Sequence, residues 1–200
     1  MPDWEPDLPV RAFRDDGAFE RWLDRNHTRT PGLWIKIAKR DTGVASVTHA
    51  EAVDTALCFG WIDGQRRPLD TTYFLQRFTP RRPKSIWSKN NRDKVTQLIE
   101  IGRMRPAGLR EIERAKADGR WDAAYDGQRT AGVPDELQRL LDRNRRAREF
   151  FATLDSANRY AFVWRVQQGK KPETRRRRAE EFVKMLEAGE TFHPRANRYR

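Results

Sequence analysis

The sequence predicts an α+β chain: a small mixed or antiparallel sheet with helices, followed by an all-helical C-terminal module. Three observations predict it. Apolar residues alternate with period two in GLWIKIAKR at 32–40, and β-prone aromatics crowd TTYFLQRFT at 71–79. Helix start and stop residues punctuate the stretches between and after these runs. From Val133 onward the apolar spacing is helical and no alternating run returns. The expected organisation is an α+β domain at 13–128 and a helical module at 133–190.

Taken in order, residues 1–12 hold three prolines and read as an irregular arm. Phe19, Trp22 and Leu23 fall at i, i+3 and i+4, one face of a short helix over 16–26. In the first strand Leu33, Ile35 and Ile37 point one way, and Trp34, Lys36 and Ala38 the other. Asp41-Thr42-Gly43 is a turn. Thr48 and Glu51 form a capping box for a helix that turns Ala50, Val53, Ala56 and Leu57 inward and closes at Gly60. Asp63-Gly64 marks a turn that residues 65–70 extend, and 71–79 is the next strand. Ser88 caps a helix to about Ile101, with Val95, Leu98 and Ile99 inside. Pro106 sits at the N1 position of another, carrying Leu109, Ile112 and Ala115 and stopping near Gly119.

The C-terminal module is read from Leu137, Leu140 and Leu141 in one helix. Phe150, Phe151 and Leu154 continue it or start another. Ser156 caps a segment with Tyr160, Val163 and Trp164 inward. Thr174 caps a last helix with Ala179, Phe182, Val183 and Leu186 inside and Gly189 behind it.

Charge narrows the partners. The chain carries a formal net charge of +12. Residues 1–64 hold 8 basic and 11 acidic side chains, residues 65–200 hold 33 and 18. The positive excess therefore belongs wholly to the later part, and it favours acidic partners: nucleic acid or a phosphorylated small molecule first, with anionic lipid or an acidic protein face as alternatives. Arginine outnumbers lysine 32 to 9. That bias accounts for Arg in place of Lys but not for clustering.

Two clusters stand out. WIDGQRRPLDTTYFLQRFTPRRPKSIWSKNN at 61–91 interleaves arginines with flat rings. Guanidinium forks grip phosphates, rings stack on bases or guanidinium, and a helix N-terminus offers free amides to an anion. The ligand-binding candidates are Trp61, Asp63, Arg77, Arg81, Ser85, Trp87 and Ser88, with the two indoles as walls and the serines at a helix start. The second cluster is a basic surface: Lys170, Lys171, Arg175, Arg176, Arg177 and Arg178. Read as the first turn of a helix, those arginines oppose the macrodipole, so helix stability does not explain them.

Other chemistry finds little support. CxxC, HExxH, GxxxxGK[ST], GxSxG and GxGxxG are all absent. His27, His49 and His193 are scattered, and the single Cys58 lies among apolar neighbours, so neither a metal nor another cofactor is expected and the thiol reads as buried and inert. No catalytic residue is assigned, and a non-enzymatic binding protein is the leading reading. The alternative is an enzyme on a phosphorylated small molecule with Asp63 or Asp70 as acid/base, although both aspartates also suit turns and salt bridges. The first residues lack a basic region followed by an apolar run, and no stretch approaches a membrane span; a cytoplasmic protein is expected.

The stretches GLWIKIAKRDTGVASVTHAEAVDTALCFGWIDG, RFTPRRPKSIWSKNN, GRMRPAGLREIERAKADGRWDAAY and VPDELQRLL…FVWRVQQGKKPETRRRRAEEFVKMLEAG carry a resemblance. Over about residues 13–190 the chain resembles the YdeI/OmpD-associated, or bacteriocin-protection, family. The resemblance implies a bacterial protein; separately, the C-terminal helical module with its basic surface is a candidate surface for a protein partner. It implies no catalytic residues. It links the chain to resistance against bacteriocins or antimicrobial peptides, and the net charge qualifies that link. A protein of +12 repels a cationic peptide, so a protective role is expected to be indirect.

Overall fold

The computed structural model describes residues 4–127 and 131–194. The chain divides into two compact units, Met1–Ala124 and Tyr125–Arg200. The first is α+β and the second, in its described residues, all helical.

The N-terminal unit is built on a four-stranded sheet in the order β1-β2-β4-β3, with β1 Val10–Ala12, β2 Leu33–Ala38, β3 Trp61–Pro68 and β4 Tyr73–Pro80. β1 runs parallel to β2 and the other pairs are antiparallel, so the sheet is mixed. The helices of this unit are α1 Asp16–Asn26, α2 His49–Cys58, α3 Lys89–Glu100 and α4 Pro106–Ala117. Leu33, Ile35, Ile37 and Phe78 of the sheet join Phe19, Leu23, Leu57, Trp61, Trp87 and Ile112 in one core. Fully burying each such side chain contributes roughly 1.5–3 kcal/mol. The alternation read for β2 holds, yet its other face is also covered. Trp34 is fully buried beneath Trp4, whose ring meets it edge-on at 4.9 Å, and its Nε1 donates to Asp7 at 3.0 Å.

α2 is the hub of the helical layer, packing on α1, α3, α4 and β3. The Thr48–Glu51 capping box is present, and Gly60 takes φ 72° behind the helix. Alanines keep α2 slim, and α4 answers with Gly108: a Cβ there would overlap the carbonyls of Cys58 and Leu57. This close approach rotates the expected inner faces. Gly108 rather than Leu109 faces inward on α4, and Ala52 rather than Ala50 on α2; Leu109 is exposed, as is Ile99 on α3.

Two strands differ from expectation. β1 falls within the arm read as irregular, because three residues at a sheet edge gain their structure from β2 and not from their own pattern. β3 runs through the stretch read as a turn. It accommodates Gly64 and Gln65 as a β-bulge: Asp63 pairs with Phe78 while Arg66 pairs with Gln76, three steps on β3 against two on β4. The turn itself lies later, where the Asp70 carboxylate accepts from the amides of Thr72 and Tyr73 at 2.8 and 2.7 Å.

The C-terminal unit contains α5 Asp135–Arg143, α6 Arg145–Ala152, α7 Ser156–Gln167 and α8 Pro172–Glu187. Asn144 ends α5 and caps α6, so the leucine and phenylalanine patterns belong to two helices. Asp155, not Ser156, is the cap of α7, and Phe162, Val163 and Val166 are buried where Tyr160 and Trp164 are only half-buried. Leu137, Leu141, Phe151, Phe162, Phe182 and Leu186 centre a separate core. α8 begins at Pro172, earlier than the Thr174 cap expected, since proline fits N1. Its first turn therefore carries Glu173, and the four arginines fall in the second turn, where the dipole acts more weakly.

Candidate functional site

The residues singled out at 77–88 find partners within the fold. Arg77 reaches across the outer face of the sheet to Asp7 at 2.8 Å. Arg81 is buried; its guanidinium lies 3.6 Å from the Trp87 ring centre and its Nη1 donates to the Ile86 carbonyl. Trp87 in turn meets Trp121 edge-on at 5.2 Å, and Arg92 approaches the far ring while donating to the Trp121 carbonyl at 3.0 Å. Ser85 Oγ accepts from the Arg82 amide, and its carbonyl accepts from Arg120 at 2.6 Å. Ser88 is the N-cap of α3, accepting from Asn91. Trp61 is in the core, with its Nε1 donating to the His27 carbonyl at 3.2 Å. Arg81, Ser85, Trp87 and Ser88 thus sit together at the joint between β4 and α3, while Arg77 and Asp63 lie elsewhere on the sheet.

Asp63 leads to a different feature. A cavity of about 720 Å³ opens between the N-terminus of α2, the end of β2 and the β3–β4 hairpin. Lys39, Arg40, His49 and Arg66 line it, with Ile37, Val44, Val47 and Phe74 as apolar wall. None of its lining residues is acidic. The β3 bulge shapes it: the extra residue turns Arg66 onto the sheet face that Asp63 occupies. Arg66 is then fixed at two points. Its guanidinium stacks 4.4 Å from the Phe74 ring centre, and its Nε donates to Gln76 Oε1 at 3.1 Å. Gln76 is 2% exposed, and its amide nitrogen donates to the carbonyls of Gly64 and Gln65, clamping the bulge. One buried amide thereby holds both the bulge and the arginine it presents.

On the opposite wall, α2 presents His49 and Ala50 at N1 and N2, whose amides take no hydrogen bond among the described residues. The His49 Nε2 atom is buried without a hydrogen bond and lies 3.5 Å from Asp63 Oδ2. Lys39 is tied to the hairpin through the Asp70 carbonyl at 2.6 Å. Among the described residues, no group of three or more His, Cys, Asp or Glu side chains is arranged to hold a metal ion.

Sequence reasoning named Asp63 but missed Gln76, His49 and the use made of Arg66. A single glutamine amid the aromatics of YFLQRFT was the available sign, since a polar amide on a buried strand face needs specific partners.

On the second unit, the basic surface splits. Arg175 donates to Glu136 at 2.8 Å and to the Gly169 carbonyl, and Arg178 donates to the Arg165 carbonyl at 2.6 Å. These two fasten α8 to its neighbours. Lys170, Lys171, Arg176 and Arg177 are exposed.

No helix among the described residues is long and apolar enough to cross a membrane. No curated protein and no solved structure matches the chain. The resemblance read across 13–190 is supported over its C-terminal part alone, and the N-terminal part matches a different family. Residues 11–111 match a family described as a domain of unknown function, DUF8412, and residues 130–189 match the family described as Bacteriocin-protection, YdeI or OmpD-Associated. With its sheet, its central helix and the cleft inside the first match, the chain belongs to the DUF8412 family of unknown function, and its helices α5–α8 lie within the stretch that matches the YdeI/OmpD-associated, bacteriocin-protection family model.

Proposed function

We propose that the N-terminal unit binds a small phosphorylated molecule in the cleft at the start of α2, without performing chemistry on it. The observation that carries the reading is the sign of the lining: four basic side chains and no carboxylate, with Arg66 held in place by Gln76 and Phe74. A prepositioned guanidinium loses little freedom on gripping a phosphate, and the first amides of α2 add donors on the opposite wall. The ligand is met in the cytoplasm, and any contribution to bacteriocin resistance is indirect, as the repulsion between a +12 chain and a cationic peptide requires.

The test is calorimetric titration of the full chain with inorganic phosphate and with a nucleoside monophosphate. Saturable binding is expected. Arg66→Ala is expected to weaken it at least about tenfold, the worth of one charge-assisted contact. No saturable binding in the wild type, or equal affinity in the variant, removes the reading.

Two further observations favour neighbouring readings. Asp63 beside His49 suits acid/base chemistry on the same ligand, and conversion of a bound phosphomonoester to product would replace binding with catalysis. The exposed cations around the start of α8 suit nucleic-acid backbone as a second anion.

A further inference from the structure

We infer that the outer face of the N-terminal sheet is a binding surface for single-stranded nucleic acid, and that the chain's own arm, residues 4–9, holds it closed. Helices α1–α4 share a core with the inner face, where Leu33, Ile35, Ile37 and Phe78 point. The cleft also belongs to that inner face, through Ile37, Arg66 and Phe74, so the two surfaces are distinct. Residues two apart on a strand share a face. β2 and β4 therefore turn Trp34, Lys36, Tyr73 and Arg77 outward, and the register adds Arg67 of β3. The strands contain a single carboxylate, Asp63, and it lies on the inner face opposite Phe78. Three cations and two aromatic rings thus share a face to which the strands contribute no acid. Cations that track phosphates and rings that stack on bases are what holds a single strand of any sequence.

The arm lays one ring and one carboxylate on this face, the two kinds of group that a nucleotide strand brings. The Trp4 indole sits edge-on to Trp34 at 4.9 Å and against the Arg67 guanidinium at 4.7 Å, in the place of a base. The Asp7 carboxylate accepts from Trp34 Nε1 at 3.0 Å and pairs with Arg77 at 2.8 Å, in the place of a phosphate. Lys36 lies 4.0 Å from the Tyr73 ring centre, which adds a second ring and cation to the same face. The covering is thin. Glu5, Pro6, Asp7 and Pro9 are exposed, and Trp4 and Leu8 are only half-buried. A segment with so few buried apolar side chains opens locally at small cost. Its base stays anchored, because the Trp34 amide donates to the Pro9 carbonyl at 2.9 Å. Lifting the arm from its Trp4 end uncovers the Trp34 indole, Arg67 and Arg77 together.

Fluorescence anisotropy of a short labelled oligothymidylate, titrated with the full chain, reads the binding, and a duplex of the same length is the control. Trp4→Ala takes the ring off the face without changing the charge. It is expected to tighten single-strand binding about tenfold, the gain where the arm leaves the face open about a tenth of the time. Asp7→Asn, which keeps the ring and frees Arg77, is expected to act in the same direction. Arg67→Gln in the Trp4→Ala chain is expected to abolish the gain. The duplex, whose bases are already stacked on one another, is expected to gain nothing from Trp4→Ala. Circular dichroism checks that each variant is folded. Unchanged or weaker single-strand binding in both arm variants overturns the inference and leaves the arm as packing alone. Equal gains for duplex and single strand overturn it too, since the face would then not be reading bases. Binding of a peptide copying residues 1–9 by the Trp4→Ala chain, with no binding of the oligothymidylate, assigns the face to an acidic protein segment instead.

Discussion

The Arg81 guanidinium, 6% exposed, lies flat against Trp87, whereas Arg66 stands in the open at the cleft. The two are fifteen positions apart in one basic block, and what separates them is what lies beneath each. Arg81 is buried against Trp87, whose ring in turn meets Trp121, and a desolvated cation–π contact of this kind is worth about 2 kcal/mol. Arg66 rests on one ring and one buried amide, which orient it without covering it. The alternation of rings and arginines was visible in the sequence, but it serves internal stacking at one end of the block and an open cleft at the other. Which arginine does which depends on Trp121 and Gln76, partners no local pattern supplies. Cys58 was legible, because its neighbours ALCFGW are apolar. The thiol is 1% exposed, and burial pushes it up to about 11. It is therefore a neutral thiol at ordinary pH, and the reactive thiolate is scarce as well as inaccessible. With a disulfide reagent at pH 8, no modification of the native chain is expected over the time in which a denatured sample reacts fully. Rapid labelling in the folded state would contradict the burial.

At the scale of elements, the helices were legible where a cap or a glycine states the boundary. Thr48 with Glu51, Ser88, Pro106, and Gly60, Gly102 and Gly119 at positive φ mark ends that local chemistry alone fixes. β1 and β3 were not legible, since one is three residues long and the other contains a bulge that the eye reads as a turn. α8 shows the same division. Its apolar face was plain, but no local pattern shows that Arg175 reaches Glu136 on α5 and the Gly169 carbonyl behind α7. The Arg175 hydrogen bond holds the Glu136 carboxyl below the ordinary carboxylate range, with a backbone hydrogen bond adding to it. A lowered folded-state value means that the pair contributes stability above the unfolded carboxyl's pKa and loses it as pH falls through the lowered value. Glu136→Gln is expected to lower the midpoint of thermal unfolding at pH 7, and the gap from wild type is expected to narrow as pH falls below the ordinary carboxylate range. A gap independent of pH, measured by calorimetry, would show that the contact acts through packing instead.

At the scale of the whole molecule, the positive excess lies entirely after residue 64, and internal pairing uses only part of it. Arg175 and Arg178 are spent within the helical unit, so the charge offered outward around the start of α8 comes from Lys170, Lys171, Arg176 and Arg177. Two kinds of anionic surface would suit it. A lipid surface rewards apolar side chains beside the cations, and every exposed large hydrophobic residue among the described ones, from Val10 to Leu109, belongs to the first unit. Nucleic-acid backbone needs no such anchor; its attraction comes from counterion release and weakens steeply with salt. The expectation for the full chain is binding to a short DNA duplex that falls linearly on a log–log plot against salt. Converting Lys170, Lys171, Arg176 and Arg177 to glutamine together should reduce the magnitude of that slope by about 3 to 4, since each phosphate contact contributes roughly 0.9. Arg66→Ala, which alters the cleft, should leave the slope nearly unchanged. An unchanged slope in the quadruple variant would place the duplex elsewhere, and preference for anionic vesicles over DNA would replace the polyelectrolyte with a lipid surface.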